Sequence, residues 1–449
     1  MLALASAAHR SARPLGLVIL STVTACLAAA GAHGQSCLCG TAADELVAAR
    51  AGLDREWVVQ VPFDSDAWRL EHVVVGELVV VAQSGDGTVA AIRTDTRPGG
   101  PRRGAVAWSH QVDGTGPIEA AGISPNSVTV ARGRGITAFH TDSGRMAWTR
   151  SLSGIASAGA LASEGQVYIP LDGGGVERMP ESTWITVPVE GESAGVADGE
   201  TARVGIDSKG EVDFKPVAFG NGVLWCSTRG LIVALVTDDD LSERIEFDLG
   251  SPASGPPVVR GQDVFVATLA GDLARLATIP AGLTANSGVI KDSRGAEAPY
   301  FGWHTVLEGV PEGSPIVGRD TVVVSLGPWG LAAFDASSGE RRWQVRQGGR
   351  PLAITDTRVW CLDDTGFLVA RDLMSGGRRE QLCLGSFTLP VVNTVSERLV
   401  LASPSGLVVS LAPWRLTTAA PVVPPPAEQP EAAEVPADEA EPAAEGDGT

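Results

Sequence analysis

The sequence predicts an all-β protein, an eight-bladed β-propeller closed by a strand from its N-terminal side. Three observations predict it. First, short runs rich in Val and Leu and bounded by Gly, Asp, Asn or Ser follow one another from Trp57 to about Trp414, among them LVVVAQ (78–83), VTVA (128–131), VLWCS (223–227), VFVATL (264–269), VVVSL (322–326) and LVLAS (399–403). Second, each run is followed by a Gly turn and another apolar run, at Gly87, Gly135, Gly175, Gly230, Gly271, Gly330, Gly366 and Gly406, with spacings of 36 to 59 residues. Third, this stretch lacks the spacing of an amphipathic helix. A small sheet repeated at such intervals cannot bury both faces alone; stacking the sheets around an axis buries each against its neighbours.

The chain opens on what reads as an export signal over residues 1–34. Arg10 and Arg13 precede the apolar stretch 15–30, which is short for a membrane span. Two processing routes stay open. Val23-Thr24-Ala25-Cys26 resembles a bacterial lipobox, which would lipidate Cys26 and tether the chain to a membrane; cleavage after Ala32 or Gly34 would release it. Either route takes the mature chain out of the cytoplasm, to the periplasm, outer membrane or cell surface. Residues 35–56 read as a leader with a short helix within 41–56, residues 57–416 as the propeller, and 417–449 as a tail.

The units carry a second signature. GLAAFDASSGERRW (330–343) echoes GITAFHTDSGRMAW (135–148). Ala333, Asp335, Ser338, Gly339 and Trp343 fit the pattern Ala-x-Asp-x-x-Thr-Gly-x-x-x-Trp, with Ser for Thr. Ala138, Ser143, Gly144 and Trp148 fit it with His140 in place of Asp, and Ala370, Asp372, Ser375 and Gly376 fit it with Glu380 in place of Trp. The first unit keeps Ala91 and Trp108 around an insertion containing RPGGPRRG; the other four keep the strand–Gly–strand half only. In this pattern the chain resembles the PQQ-like, quinoprotein-type propeller family. Asp or Ser before Ser-Gly makes a tight turn in which Gly takes positive φ. The Trp that follows starts an outer strand and can lie in the seam with the next blade, where Ala on the preceding strand leaves room; its burial would contribute about 2–3 kcal/mol. The repeat is therefore expected to build the fold.

The eighth unit supplies three strands before Pro-rich sequence begins. EWVVQVPF (56–63) has the Trp-led look of an outer strand and is expected to complete the last blade. Of six cysteines, Cys37 and Cys39 are too close for an easy disulfide, and two thiolates are half a zinc site. Cys361 and Cys383 fall two strands apart in the seventh unit, about 9–10 Å, too far to bond; both, like Cys226, are expected to be buried free thiols. The tail is rich in Pro, Ala and Glu, carries eight acidic residues and no Lys or Arg, and is expected to be disordered.

A net charge of −19, with eight of those charges in the tail, argues against nucleic acid as a partner. The PQQ-like resemblance raises a quinone-dependent dehydrogenase, but the adjacent cysteines that cap the quinone in such enzymes are absent, and the chain is short for their ligand-bearing insertions. No cofactor is expected. TDDDL (237–241) and Asp363-Asp364 read as solvated turns, since they lack the spaced ligands and turn Gly of a calcium loop. His72, His110, His140 and His304 stand singly, without zinc spacing, and no G-x-S-x-G elbow is present. ARGRG (131–135) precedes no helix and reads as a hairpin turn, not a phosphate loop. Tyr300, Phe301 and Trp303, in the long irregular insertion 280–304, are the candidate partner contacts, with a blade-seam role as the alternative. The resulting expectation is a monomeric, non-catalytic scaffold that binds envelope proteins, similar in size, export signal and blade type to the propeller lipoproteins of outer-membrane β-barrel assembly. The rival is an enzyme or small-ligand sensor using the central channel.

Overall fold

Strands Val79–Ser84 and Thr88–Arg93 are buried along their whole length. Side chains alternate between the two faces of a strand, so such burial requires a neighbour on each side. Val79, Val81, Val89 and Ala91 pack with Val128, Val130 and Phe139 of the following unit. Val80, Ala82, Ala90 and Ile92 pack with Val400, Ala402 and Val408 near the end of the chain. The continuous apolar runs are thus strands sandwiched between blades.

The computed structural model describes residues 41–95, 102–181, 204–220, 222–238, 241–276, 290–291, 297–298 and 301–414. The expected signal, Cys26, Cys37, Cys39 and the acidic tail lie outside them. Seven four-stranded antiparallel sheets follow in chain order, each with its strands in sequence from the inner to the outer edge. Blade 5 interposes a two-stranded excursion, Ile290–Lys291 with Glu297–Ala298, before its outer strand Phe301–Val306. Eight apolar clusters fill the eight seams of the ring.

Both ends of the chain make the eighth blade. Leu53–Gln60 pairs antiparallel with Leu407–Pro413, which pairs with Leu399–Ala402. The innermost position is held by bridges of Leu389 to Ala402 and of Asn393 to Ala353. The closing strand begins three residues before Glu56 and carries a bulge between Arg55 and Trp57. There the Glu56 side chain, 3% exposed, accepts from Arg398 at 2.7 and 3.1 Å and from Arg103 at 2.7 Å. The one α-helix named among the described residues, Glu45–Arg50, lies within the 41–56 stretch expected, is capped by Asp44, and buries Ala48 against blades 7 and 8.

The Trp motif fills the seams. Trp108, Trp148 and Trp343 each pair with the motif alanine on the preceding strand, Ala91, Ala138 and Ala333, and a register shift follows each alanine. Ala370 pairs with Glu380 in the same arrangement. The indole nitrogens reach into the next blade: Trp108 donates to the Thr141 carbonyl at 3.0 Å, Trp148 to Glu181 at 2.5 Å, and Trp343 to Leu373 at 2.8 Å. A Cβ on Gly376, whose φ is +71°, would stand 2.7 Å from the Trp343 ring. Gly144 and Gly339 lie in the same way under Trp108 and Trp303. Glycine thus serves the turn and the seam together. Asp335 accepts from the Ser337 hydroxyl and the Ser337 and Ser338 amides and pairs with Arg342, which holds its carboxyl well below the usual range. Asp372, paired with Arg379 and bonded to Ser375, is held down to about 2.

The cysteines require one correction. Cys226 and Cys361 are buried free thiols, each pushed up to about 12 by burial. Cys383, expected to be free as well, is disulfide-bonded. Cys361 is not its partner; the bond leads outside the described residues. The Cys383 carbonyl accepts from the Ala42 amide at 2.7 Å, so the segment before the helix runs beside this strand, an approach that strand spacing within one blade does not consider.

Candidate interaction face and central channel

One face of the ring carries the connections that enter each inner strand and the turns between second and third strands; we call it the entry face. Most loops here are short and closed by backbone bonds, as at Gly87 to Ser84 and Gly366 to Asp363. Blades 5 and 6 have closed turns too, but they add large exposed apolar side chains. Leu269 in the turn of blade 5, Val306 at the end of its outer strand, Val310 in the following connection, and Trp329 in the turn of blade 6 are all exposed, Val306 at 71% and Trp329 at 61%. They adjoin one another. The Leu307 amide donates to Gly271 at 2.7 Å, and a Cβ on Gly309 would meet Trp329 at 2.8 Å. The 3-10 turn Gly327–Trp329 lifts the indole onto this surface. Exposed apolar side chains gathered on neighbouring loops of one face in this way mark a candidate interaction site.

Of the expected contact residues, Trp303 is the one whose side chain is described. Trp303 is 9% exposed and lies in the seam between blades 5 and 6, where it donates to the Ala336 carbonyl at 2.9 Å and covers Gly339. The long excursion before it hides, in the sequence, that it is the motif Trp of blade 5. Tyr300 and the side chain of Phe301 lie outside the described residues.

The second concave feature is the axis. A cavity of about 820 Å3 runs through the ring, walled by Val74, Val75, Ile123, Val217, Val258 and Val259 and by several prolines. Exposed Glu77, Glu312 and Arg350 stand along its lining. Lys215, at the start of the inner strand of blade 4, projects into it. Its ammonium makes a single long contact, 3.5 Å to the Ala121 carbonyl of blade 2, and burial pushes its pKa down to about 8. Part of its surface remains accessible, but that surface opens onto the channel, and protein surrounds the group.

Among the described residues, no three His, Cys, Asp or Glu side chains gather as a metal site. Asp363 accepts from the Thr365 and Phe367 amides as a turn residue. His304 contacts Asp272 at 3.0 Å, and the other Asp272 oxygen accepts from the Thr268 hydroxyl at 3.3 Å. Here the carboxylate stands between hydroxyl and imidazole, so the imidazole is not placed to take the hydroxyl proton as a triad requires.

The comparisons agree with this architecture. A family model described as outer membrane protein assembly factor BamB matches residues 184–357. The chain is a β-propeller that resembles BamB over this stretch. Among solved structures, BamB from Moraxella catarrhalis superposes with a TM-score of 0.56 at 18% identity, covering 80% of this chain and 97% of that one. The computationally designed Ika8 protein superposes at 0.53 with 11% identity, covering 76% and 95%. At these identities the likeness speaks for the fold. No curated protein matches the chain. Within the propeller, the patch around Trp329 and the lysine of the channel depart from the repeat; a Trp between glycines in GPWGL, and a lone Lys in FKPV, are the sequence signals that mark them.

Proposed function

We propose that this chain is an exported, non-catalytic propeller scaffold of the cell envelope, which docks a protein partner on the entry face of blades 5 and 6. The observation that carries the proposal is the exposed patch of Leu269, Val306, Val310 and Trp329. Buried Trp anchors dominate protein interfaces, and an indole held at a rim by a short turn costs little entropy to engage. The similarity to an outer membrane assembly factor supports an envelope setting, and residues 1–34 supply the means of export. Lipidation of Cys26 would tether the scaffold to the membrane. Fold alone does not choose between scaffold and enzyme; the apolar patch favours the scaffold.

The experiment compares wild type with Trp329→Ser/Val310→Ser, both expressed at native level and purified from solubilised envelopes. The proposal expects a specific protein to accompany wild type and to fall at least about 30-fold in the variant, as loss of a hot-spot anchor would give, while the melting temperature is unchanged. Equal recovery of that protein with both chains would refute it.

A further inference from the structure

Lys215 is one of three lysines in the chain, and its surroundings are unlike those of Lys209. Lys209 is exposed and pairs with Glu246. Lys215 runs inside the ring, from the inner strand of blade 4 across blade 3 to the carbonyl of Ala121 in blade 2. On the way it passes Gly159 of blade 3, where a Cβ would stand at an ordinary contact distance of 3.6 Å from Lys215 Cδ. The ammonium has three donors and one long acceptor contact. No carboxylate contributes to its electrostatics, and desolvation alone accounts for its lowered pKa. A buried cation is costly unless paired, and methionine would fill this space without the cost.

Apart from the exposed charges of Glu77, Glu312 and Arg350, the rest of the cavity lining is largely apolar. Val74, Val75, Ile123, Val217, Val258 and Val259 present hydrocarbon along the axis. Its volume of about 820 Å3 lies within the range that encloses small organic ligands. We propose that the central channel is a binding site for a small amphiphilic monoanion, a carboxylate on an apolar chain, whose carboxylate pairs with Lys215 Nζ while its hydrocarbon lies against the valine wall. A single ammonium, whose one contact is the Ala121 carbonyl while Arg350 of the same lining belongs to blade 7, suits one negative charge better than a phosphate ester. The apolar wall suits an alkyl chain better than a sugar or nucleotide. This site is separate from the entry-face patch, so either can fail without the other.

The test titrates the full chain with decanoate and with decanol, the neutral analogue of the same length, and repeats both with Lys215→Met. The expected result is saturable binding of one decanoate per chain, at least about 30-fold tighter than decanol, as a charge-assisted hydrogen bond supplies. In Lys215→Met that preference is expected to fall to within about threefold, with decanol binding retained. Absence of saturable decanoate binding, or equal binding of decanoate and decanol by wild type, would overturn the proposal without reference to the variant. An undiminished decanoate preference in folded Lys215→Met would overturn the assignment of the lysine.

Discussion

The indole of Trp343 in blade 6 lies across Gly376 in blade 7 and donates to the Leu373 carbonyl at 2.8 Å. One glycine thereby joins the turn chemistry of its own blade to the packing of its neighbour. Gly376→Ala is expected to cost about 2–4 kcal/mol, combining a left-handed alanine with overpacking against the ring. Gly366→Ala serves as the comparison: its φ is +82°, but a Cβ there meets nothing within 4 Å. That variant is expected to cost only about 1–2 kcal/mol. Urea unfolding of the two variants checks the difference.

Closure of the ring rests on Glu56, whose carboxylate is shared by Arg103 and Arg398. Removing a carboxylate buried between two guanidinium groups leaves both uncompensated. Glu56→Ala is expected to destabilise by about 3 kcal/mol, the low end for a broken buried pair because both arginines keep some contact with water. Hydrogen exchange is expected to rise first in Leu53–Gln60 and Leu407–Pro413. Uniform loss of protection around the ring would contradict this role.

Lys215 makes stability depend on alkaline pH. Its folded pKa, about 8, is below the ordinary 10.5, so the unfolded chain binds more protons between these values. Stability therefore rises with pH across that window, and the penalty is full below about 8. Lys215→Met is expected to be more stable than wild type by about 2–3 kcal/mol at neutral pH. The gap is expected to narrow as pH approaches 10.5, read from denaturation at a series of pH values.

Acid acts on the turn aspartates with the opposite sign. Asp372 is held down to about 2 by Arg379 and Ser375, below the ordinary 3.8. Its stabilisation is present above 3.8 and is lost as pH falls through about 2. The difference between wild type and Asp372→Asn is expected to shrink over that interval; a difference independent of pH would show that the carboxylate's charge is not what the turn uses.

The sequence made the propeller legible because its signals are local and repeated. A Gly turn between two apolar runs defines two strands, and the Ala–Trp pairing of Ala333 with Trp343 or Ala138 with Trp148 defines a seam. Closure was legible too, since the eighth unit lacks an outer strand and Trp57 lies in a spare one, Leu53–Gln60. What was not legible depended on distance in the chain. Trp303 resembled a loop residue because 24 residues, 277–300, separate the third and fourth strands of blade 5. The disulfide of Cys383 leaves its blade altogether, so strand spacing could not find it. Lys215 and Trp329 are single departures from the repeat, and only the ring shows that one points into the axis and the other away from a rim.

The most direct measurement replaces Trp329 with a photo-crosslinking p-benzoylphenylalanine in cells and, separately, places the same group at Met374, which is equally exposed but on the opposite face. The account predicts a discrete adduct with an envelope protein from position 329 and none from 374. No adduct at 329, or the same adduct from both positions, would contradict a docking surface on the entry face.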